Sequence, residues 1–353
     1  MLIHMQEPKE VLRIFEPYAA LIEDHIRGVL DAEPRLPLYN MMRYFFGFAD
    51  EKGNAIEVYG GKRFRSGLCM LIADFLGKKK EALEIAAAIE IFHNFTLIHD
   101  DIEDHDEYRR GRPTVWKLWG INHGINAGDG QLIIAHKVLA KAAATYPLFG
   151  YKAQQFLESK FLEVIEGQFM DFTLTDYPID DARVDETAYQ EMISKKTVAL
   201  VGASTAAAGI IAGVSPETQT ALWNFGSELG RSYQLCDDMV SIWGDSRLTG
   251  KVAYNDIRER KKTLPFLFLK ENLVGTEREE FYSLYKKEST FTEEEIQTIV
   301  RLLNNSGAYD YSWQEVQKHA KAAKQACQKL PLSEDKKTVL RSVVDALLPN
   351  VRG

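Results

Sequence analysis

Apolar residues recur at spacings of three and four along most of the chain. Between residues 12 and 30 the recurring positions are Ile14, Tyr18, Leu21, Ile22, His25 and Ile26. Such spacing places these side chains on one face of a helix. Runs that alternate apolar and polar residues and are rich in Val, Ile and Thr, as strands are, are scarce. The pattern therefore predicts an all-α fold whose apolar stripes form the core.

Six breaks interrupt the periodic segments, and each is marked by Gly, Pro or clustered charge. They cover residues 33–37, 53–65, 109–113, 177–183, 244–262 and 330–334. None has the length of a flexible linker, and the composition shows no shift, repeat or low-complexity tract. Apolar residues make up 45% and charged residues 27% of the chain, the balance of a globular protein with a large core. We therefore expect residues 1–353 to form a single helical domain with functional loops.

The charge and cysteine content narrow the classes of function. The 43 Lys and Arg and 51 Asp and Glu residues give a net charge of -8, so we expect no nucleic-acid partner, and an anionic substrate needs a local basic patch. Cys69, Cys236 and Cys327 lack the close spacings of zinc or disulfide frameworks, which favours reduced thiols. The N-terminus lacks the order of a secretory signal. These features predict a cytoplasmic protein.

One charge-free stretch, residues 197–215, has about the length of a membrane span. It consists mostly of Ala, Gly, Ser and Thr and contains few large apolar side chains. Small residues of this kind let neighbouring helices pack closely. We therefore expect a buried helix here and no transmembrane segment.

Four acidic residues fall within five positions at Asp100-Asp101-Ile102-Glu103-Asp104. The preceding residues, 84–99, have helical spacing and contain no breaker, so this motif is predicted at the end of a helix. Asp100 and Asp104 are four residues apart and share one helix face, where their carboxylates can converge on hard cations. A solvated run of charge is the alternative, but the helix is apolar up to its acidic end.

A second acidic pair, Asp237-Asp238, also follows a segment with helical spacing. Magnesium prefers carboxylate oxygens and usually completes its coordination with water and substrate phosphates. Two acidic helix ends that face one cavity would therefore suit a diphosphate bound through Mg²⁺. Such a ligand also requires cations, and the sequence offers several near its breaks. They are Lys62, Arg65, Arg109, Arg110, Lys196, Lys251 and Lys261, each of which could equally be solvated surface.

These segments together resemble the trans-isoprenyl diphosphate synthases, the family that contains farnesyl and geranylgeranyl diphosphate synthases. The resemblance covers nearly the whole chain, and its blocks occur in the family's order. They are residues 60–65 (Gly-Gly-Lys-Arg-Phe-Arg), 93–114, Gly167-Gln168, Lys196-Thr197, 233–238 and 250–265. The resemblance implies a helical bundle around a deep central cavity, commonly as a homodimer. It also implies magnesium-dependent, head-to-tail condensation of isopentenyl diphosphate with an allylic diphosphate.

The resemblance also implies a role for each matching position. Asp100, Asp104 and Asp237 correspond to ligands of two or three Mg²⁺ ions, and Asp101 and Asp238 support them. Arg109, Lys196, Lys251 and Lys261 correspond to residues that hold the allylic diphosphate. Lys62, Arg65, His93 and Arg110 correspond to the pocket for isopentenyl diphosphate. Thr197 and Gln234 correspond to polar groups near the reacting carbons. The departure is Ser241, where the family usually has a third aspartate.

Product length is predicted from the residues just before the first motif. Phe95 lies five helix residues before Asp100, about 7.5 Å along the axis, and Phe92 lies deeper. With Thr96 they are the candidate chain-length residues, unless both Phe side chains are only core packing. The resemblance favours a C20 product, with C15 possible. Two other functions stay open: a class I terpene cyclase, which lacks a second anion pocket, and a non-catalytic subunit of a prenyl synthase, which Ser241 invites.

Overall fold

The structure, a computed structural model, describes residues 9–56, 58, 61, 63–244, 254–287 and 289–348. The first ten α-helices are α1 (Lys9–Asp31), α2 (Pro37–Phe46), α3 (Phe64–Phe75), α4 (Leu83–Glu103), α5 (Val115–Trp119), α6 (Ile121–Thr145), α7 (Phe149–Asp176), α8 (Glu186–Ile193), α9 (Ala199–Ala212) and α10 (Pro216–Trp243). The others are α11 (Asn255–Arg258), α12 (Leu264–Asn272), α13 (Gly275–Tyr285), α14 (Glu293–Ser306), α15 (Ala308–Gln328) and α16 (Glu334–Ala346). A π-helical turn, Ser194–Val198, joins α8 to α9. The predicted all-α fold is confirmed.

The described strands are two short ones, β1 (Tyr108–Arg109) and β2 (Arg112–Pro113), which pair as an antiparallel hairpin. They fall in one of the predicted breaks. The predicted helix over residues 12–30 is confirmed by α1. Leu36 precedes α2, which starts at Pro37, and proline at the first helical position needs no amide partner.

The chain forms two compact units. The N-terminal unit contains Leu12–Phe161 and Ala203–Thr220, and the C-terminal unit contains Met1–Val11, Leu162–Gly202 and Ala221–Gly353. The single domain expected from the sequence stays a prediction. Each unit has its own hydrophobic core, and each carries one of the two acidic motifs.

In the N-terminal unit, α4 packs against α3 and α6. The contact with α6 is close because α6 carries glycines where α4 approaches. A Cβ at Gly124 would lie 2.8 Å from Ile102 Cδ1, and one at Gly128 would collide with the His99 ring. Larger residues at these positions would push the acidic end of α4 away.

In the C-terminal unit, α12 packs against α14 and α15, and α8 also contacts α12. Leu235, Met239, Phe266, Phe281 and Ile299 are among the residues of its core. Residues 199–211, of which 199–202 belong to this unit and 203–211 to the N-terminal unit, are buried, which confirms the interpretation of the charge-free stretch as a buried helix. Among the helices in the described ranges, none combines the length and apolarity needed to cross a membrane.

Candidate active site

The first acidic motif lies at the C-terminal end of α4, as predicted. The helix ends at Glu103, and the Asp104 amide still donates to the Asp100 carbonyl oxygen at 2.8 Å. Asp100 and Asp104 are half-buried, whereas Asp101 is buried and accepts a bond from Arg109 Nε at 2.5 Å. Burial raises the pKa of Asp101 to about 7, although Arg109 opposes this shift. The motif thus holds one carboxylate, that of Asp101, inside the unit and leaves the other three nearer the surface.

The hairpin β1–β2 positions both arginines that follow the motif. Arg110 and Gly111 form its turn, and both have positive φ, as a type I′ turn requires. The turn directs Arg109 back to Asp101 and sets the Arg110 guanidinium 5.8 Å from the centre of the Phe45 ring. Arg110 also lies against Gly61, where a Cβ would come within 2.9 Å of its Nη2. Glycine at residue 61 therefore makes room for this guanidinium.

Positive charge in the N-terminal unit concentrates around His93. Arg65 Nη1 lies 3.1 Å from His93 Nε2, and since a guanidinium only donates, this nitrogen is unprotonated. Burial holds the pKa of His93 well below its ordinary value, and repulsion from Arg65, Arg110 and Arg109 lowers it further. The structure thus brings together four of the predicted substrate-binding residues, while Lys62 lies outside the described residues.

The candidate chain-length residues lie on α4, and both Phe side chains are buried. Phe92 is fully buried and stacks on Phe161 with ring centroids 3.8 Å apart. Phe95 packs 5.4 Å from Phe92 and 4.9 Å from the His99 ring, one helical turn nearer the acidic motif. The Thr96 hydroxyl donates to the His93 carbonyl oxygen at 2.8 Å. Both rings therefore pack in the core, and Phe95 is the one closer to Asp100.

In the C-terminal unit, the π-helical turn carries Lys196 and Thr197. Lys196 Nζ lies 2.6 Å from Asp171 Oδ2, and Lys261 Nζ lies 3.3 Å from the same oxygen. The two lysines hold the pKa of Asp171 below its ordinary value against the effect of burial, which would raise it. Two of the predicted diphosphate-binding lysines therefore converge on one carboxylate. The third, Lys251, lies outside the described residues.

A hydrogen-bond chain joins the π-helical turn to the second acidic motif. Thr197 Oγ1 donates to Gln234 Oε1 at 2.6 Å, and Gln234 Nε2 donates to Asp238 Oδ1 at 2.8 Å. The buried Tyr189 hydroxyl donates to the other oxygen of Asp238. Burial raises the pKa of Asp238 well above its ordinary value, and repulsion from Asp256 adds to this. Asp237, the neighbouring residue, is half-buried.

A carboxylate that the sequence did not single out lies beside Ser241. Ser241 Oγ is 2.5 Å from Asp256 Oδ2 and 2.8 Å from the Asp238 carbonyl oxygen. Asp256, on the short helix α11, thus brings a carboxyl group to the position where the family usually has a third aspartate. Asp245, four residues after Ser241 in the sequence, lies outside the described residues.

Three residues of the site escaped the sequence analysis. Asp171 is four residues after Gly167, and this spacing from a recognised block could have indicated it. Tyr189 and Asp256 offered no comparable signal, since each reaches Asp238 or Ser241 only through the tertiary structure. Tyr189 forms a hydrogen bond with Asp238, and Asp256 forms one with Ser241.

The carboxylates of the two acidic motifs fit a hard cation whose coordination is completed by water and substrate phosphates. Within the part of the chain that the structure describes, no three Asp, Glu, His or Cys side chains converge to hold an ion. Magnesium is usually bound by one or two carboxylates, several waters and substrate phosphates. Asp100 and Asp104 in one unit, and Asp237 in the other, have the chemistry that such an ion requires.

The chain is similar to known prenyl synthases. A model described as polyprenyl synthetase matches residues 52–303. The (2E,6E)-farnesyl diphosphate synthase of Mycobacterium tuberculosis strain H37Rv is 38% identical over 226 residues, which are 64% of this chain but only 61% of that protein. The geranylgeranyl pyrophosphate synthase of Geoglobus acetivorans is 34% identical over 315 residues, which are 89% of this chain and 91% of that protein. The crystal structure of a polyprenyl synthetase from Streptomyces coelicolor A3(2) superposes with a TM-score of 0.86 at 28% identity, covering 95% of this chain and 99% of that one.

The chain therefore belongs to the polyprenyl synthetase family. The resemblance to trans-isoprenyl diphosphate synthases that its motifs carry is confirmed.

Proposed function

We propose that this protein condenses isopentenyl diphosphate head to tail with an allylic diphosphate to give a short-chain trans-prenyl diphosphate. The observation that carries the proposal is the contact of Arg65 with His93 in the unit that also holds Arg110 and the first acidic motif. A second diphosphate pocket separates a condensing synthase from a terpene cyclase, which handles one diphosphate. Family membership and the synthases named above support the same reaction.

The charged residues bind the two substrates. Asp100, Asp104 and Asp237 would hold Mg²⁺, which would supply charge stabilisation for the departing pyrophosphate. Arg109, Lys196 and Lys261 hold the allylic diphosphate, with Lys251 as a further ligand. Arg65, His93 and Arg110, together with Lys62, hold isopentenyl diphosphate.

The reaction needs no side-chain nucleophile. The allylic carbon–oxygen bond breaks, and its electron pair leaves with pyrophosphate. The double bond of isopentenyl diphosphate then forms the new carbon–carbon bond, and the proton that it releases passes to pyrophosphate. Thr197 and Gln234 orient the reacting carbons. Apolar side chains such as Phe95 exclude the water that would react with the allylic carbocation left when the carbon–oxygen bond breaks.

The decisive experiment supplies the purified protein with Mg²⁺, labelled isopentenyl diphosphate and each allylic starter in turn. We expect labelled prenyl diphosphates from the wild-type protein without any partner protein. In Asp100→Asn we expect kcat to fall by about 10²-fold or more, because one charge-stabilising group is removed. Asp24→Asn, on the exposed face of α1, is the matched control and should keep full activity.

Two other outcomes would contradict the proposal. Release of a hydrocarbon from geranylgeranyl diphosphate alone would identify a cyclase. Turnover that appears only after a second protein is added would identify a non-catalytic subunit.

We also propose that the product is C20 and that Phe95 limits its length. Its ring is the aromatic group on α4 nearer Asp100, and Phe92 behind it is locked against Phe161. Phe95→Ala should lengthen the product, as measured by chromatography of the dephosphorylated alcohols. Phe92→Ala should instead lower the free energy of unfolding by about 3–5 kcal/mol, as core truncations do. An unchanged product spectrum in folded Phe95→Ala would remove Phe95 from this role.

A further inference from the structure

We propose that Arg231 is a positioning residue that fixes the π-helical turn carrying Lys196 and Thr197. Arg231 lies on α10, two turns before Asp238. Its Nη1 donates to Gln190 Oε1 and its Nη2 donates to Ser194 Oγ, both at 2.7 Å. Gln190 is in the last turn of α8, and Ser194 begins the π-helical turn. One guanidinium thus joins the residues on either side of the helix irregularity.

The irregularity itself needs support from outside the helix. The Ala199 amide donates to the Ser194 carbonyl oxygen, five residues back, in place of the four-residue spacing of an α-helix. Such π-bulges are rare in proteins, and those that occur are often found at functional sites. An isolated α8–α9 segment has no local reason to keep this geometry, because its bonds would also satisfy a regular α-helix. Tertiary contacts must therefore hold it.

The turn packs closely against two glycines on neighbouring helices. A Cβ at Gly167 on α7 would collide with the Lys196 backbone nitrogen. A Cβ at Gly230 on α10 would lie 2.9 Å from Val201 Cβ and 3.3 Å from Val198 Cα. These contacts limit how close the neighbouring helices come, but they are apolar and do not fix the rotation of the turn.

The two directed bonds of Arg231 supply that rotation. Both acceptors are neutral oxygens, and Ser194 Oγ also donates to the Gln190 carbonyl oxygen at 2.6 Å. The planar guanidinium has donors at fixed angles, so it sets the spacing of Gln190 and Ser194. Lys196 follows Ser194 by two residues and reaches Asp171, and Thr197 reaches Gln234. Arg231 therefore acts on the proposed diphosphate-binding lysine through the backbone.

The kinetic test rests on the proposed function and compares Arg231→Met with Arg231→Lys. Misplacing a reacting group by about 1 Å can cost about 10²-fold, so we expect kcat to fall at least about tenfold and KM for the allylic diphosphate to rise. KM for isopentenyl diphosphate should stay unchanged, since Arg65, His93 and Arg110 belong to the other unit. Arg231→Lys keeps the charge but cannot span both acceptors, so it should behave like Arg231→Met. Full activity in Arg231→Lys would overturn the geometric role.

The control is Arg301→Met, which removes an arginine paired with Glu280 at the surface of the same unit and should leave kcat unchanged. Ser194→Ala removes one acceptor and should by itself lower kcat. If Arg231→Met folds, combining the two should be non-additive, because both remove the same bond. If Arg231→Met does not fold, Ser194→Ala carries the test, and full activity in that variant would contradict the proposal.

Hydrogen exchange separates this inference from the proposed function. Peptides covering residues 194–200 should exchange at least about tenfold faster in Arg231→Met or Ser194→Ala than in the wild-type protein, whatever reaction the protein catalyses. Absence of turnover in the wild-type protein would refute the proposed function and leave this measurement intact. Unchanged exchange in a folded variant would refute the role of Arg231 and leave the function intact.

Discussion

Neighbouring aspartates in the two acidic motifs lie in different surroundings. Asp101 and Asp238 are buried and hydrogen-bonded inside their own units, whereas Asp100 and Asp237 are half-buried. Adjacent residues on a helix point about 100° apart, so a pair of aspartates cannot present both carboxylates to one ligand. The first residue of each pair is therefore the better candidate for Mg²⁺. The second joins its helix to another element, through Arg109 for Asp101 and through Tyr189 for Asp238.

Arg63 shows that a charged motif can serve the fold. Although it stands between the candidate residues Lys62 and Arg65, its side chain is fully buried and pairs with Glu23 and Glu90, both at 2.9 Å. Ser66 Oγ also donates to Glu90, at 2.6 Å. This network joins the start of α3 to α1 and α4, and so it supports the helix that ends in the first acidic motif.

The Glu90 carboxylate makes stability depend on pH. Burial alone would raise its pKa, but the charge of Arg63 and the hydrogen bonds from Ser66 and Arg63 overcome this and lower the pKa from 4.5 to about 2. Because the folded-state pKa is the lower one, the carboxylate contributes fully above about pH 4.5, and its contribution is lost as the pH falls towards 2. Glu90→Gln should lower the free energy of unfolding by about 3 kcal/mol at neutral pH, because Arg63 loses a buried partner.

Urea unfolding at a series of pH values measures this effect. The difference between wild-type protein and Glu90→Gln should shrink between pH 4.5 and 2, whereas Glu16→Gln, on the exposed side of α1, should follow the wild-type curve. A difference that stays constant with pH would show that the carboxylate charge is not the cause.

At the scale of elements, the site depends on close helix packing at glycines. Gly124 and Gly128 on α6 allow α4 to pack closely, and Gly167 on α7 allows the π-helical turn to do the same. At each position the neighbouring atoms belong to a helix that carries proposed site residues. Small residues therefore set the positions of Asp100 and Lys196 as directly as their own hydrogen bonds do.

Gly167→Ala should disturb the π-helical turn because its new Cβ meets the Lys196 backbone, which cannot move as a side chain can. We expect a loss of about 1–3 kcal/mol in the free energy of unfolding, together with a fall in kcat. Gly28→Ala, in α1 with open space around it, should instead gain up to about 1 kcal/mol and keep its activity. Equal effects of the two substitutions in urea unfolding and kinetics would contradict this account.

At the scale of the whole molecule, α7 presents an apolar stripe that a second copy of the chain would cover. Leu162, Ile165 and Phe169 recur at helical spacing and are 57%, 40% and 72% exposed. Large apolar residues grouped on one face are typical of interaction surfaces. We propose a homodimer that buries this stripe, as the resemblance of the sequence implies.

Phe169→Asp should weaken such a dimer because burying an unpaired charge in an interface is costly. We expect light scattering after size-exclusion chromatography to give the mass of a dimer for the wild-type protein and of a monomer for the variant. Val274→Asp is the control, since Val274 is 76% exposed at the N-terminal end of α13, where an aspartate is favourable. A wild-type monomer, or a dimeric Phe169→Asp, would exclude this interface.

The sequence by itself determined the features that arise from local periodicity and short motifs. The stripe in residues 12–30 predicted α1, and the acidic run after residues 84–99 predicted the end of α4, because both depend on residues a few positions apart. The ordered blocks also predicted the family. Only the tertiary structure decided that Arg63 is a buried partner of Glu90, that Asp171 meets Lys196 and Lys261, and that Asp256 lies beside Ser241. It also placed a π-helical turn where the sequence allows an ordinary helix, because contacts between residues far apart in the chain, such as Gly167 with Lys196, leave no periodic trace.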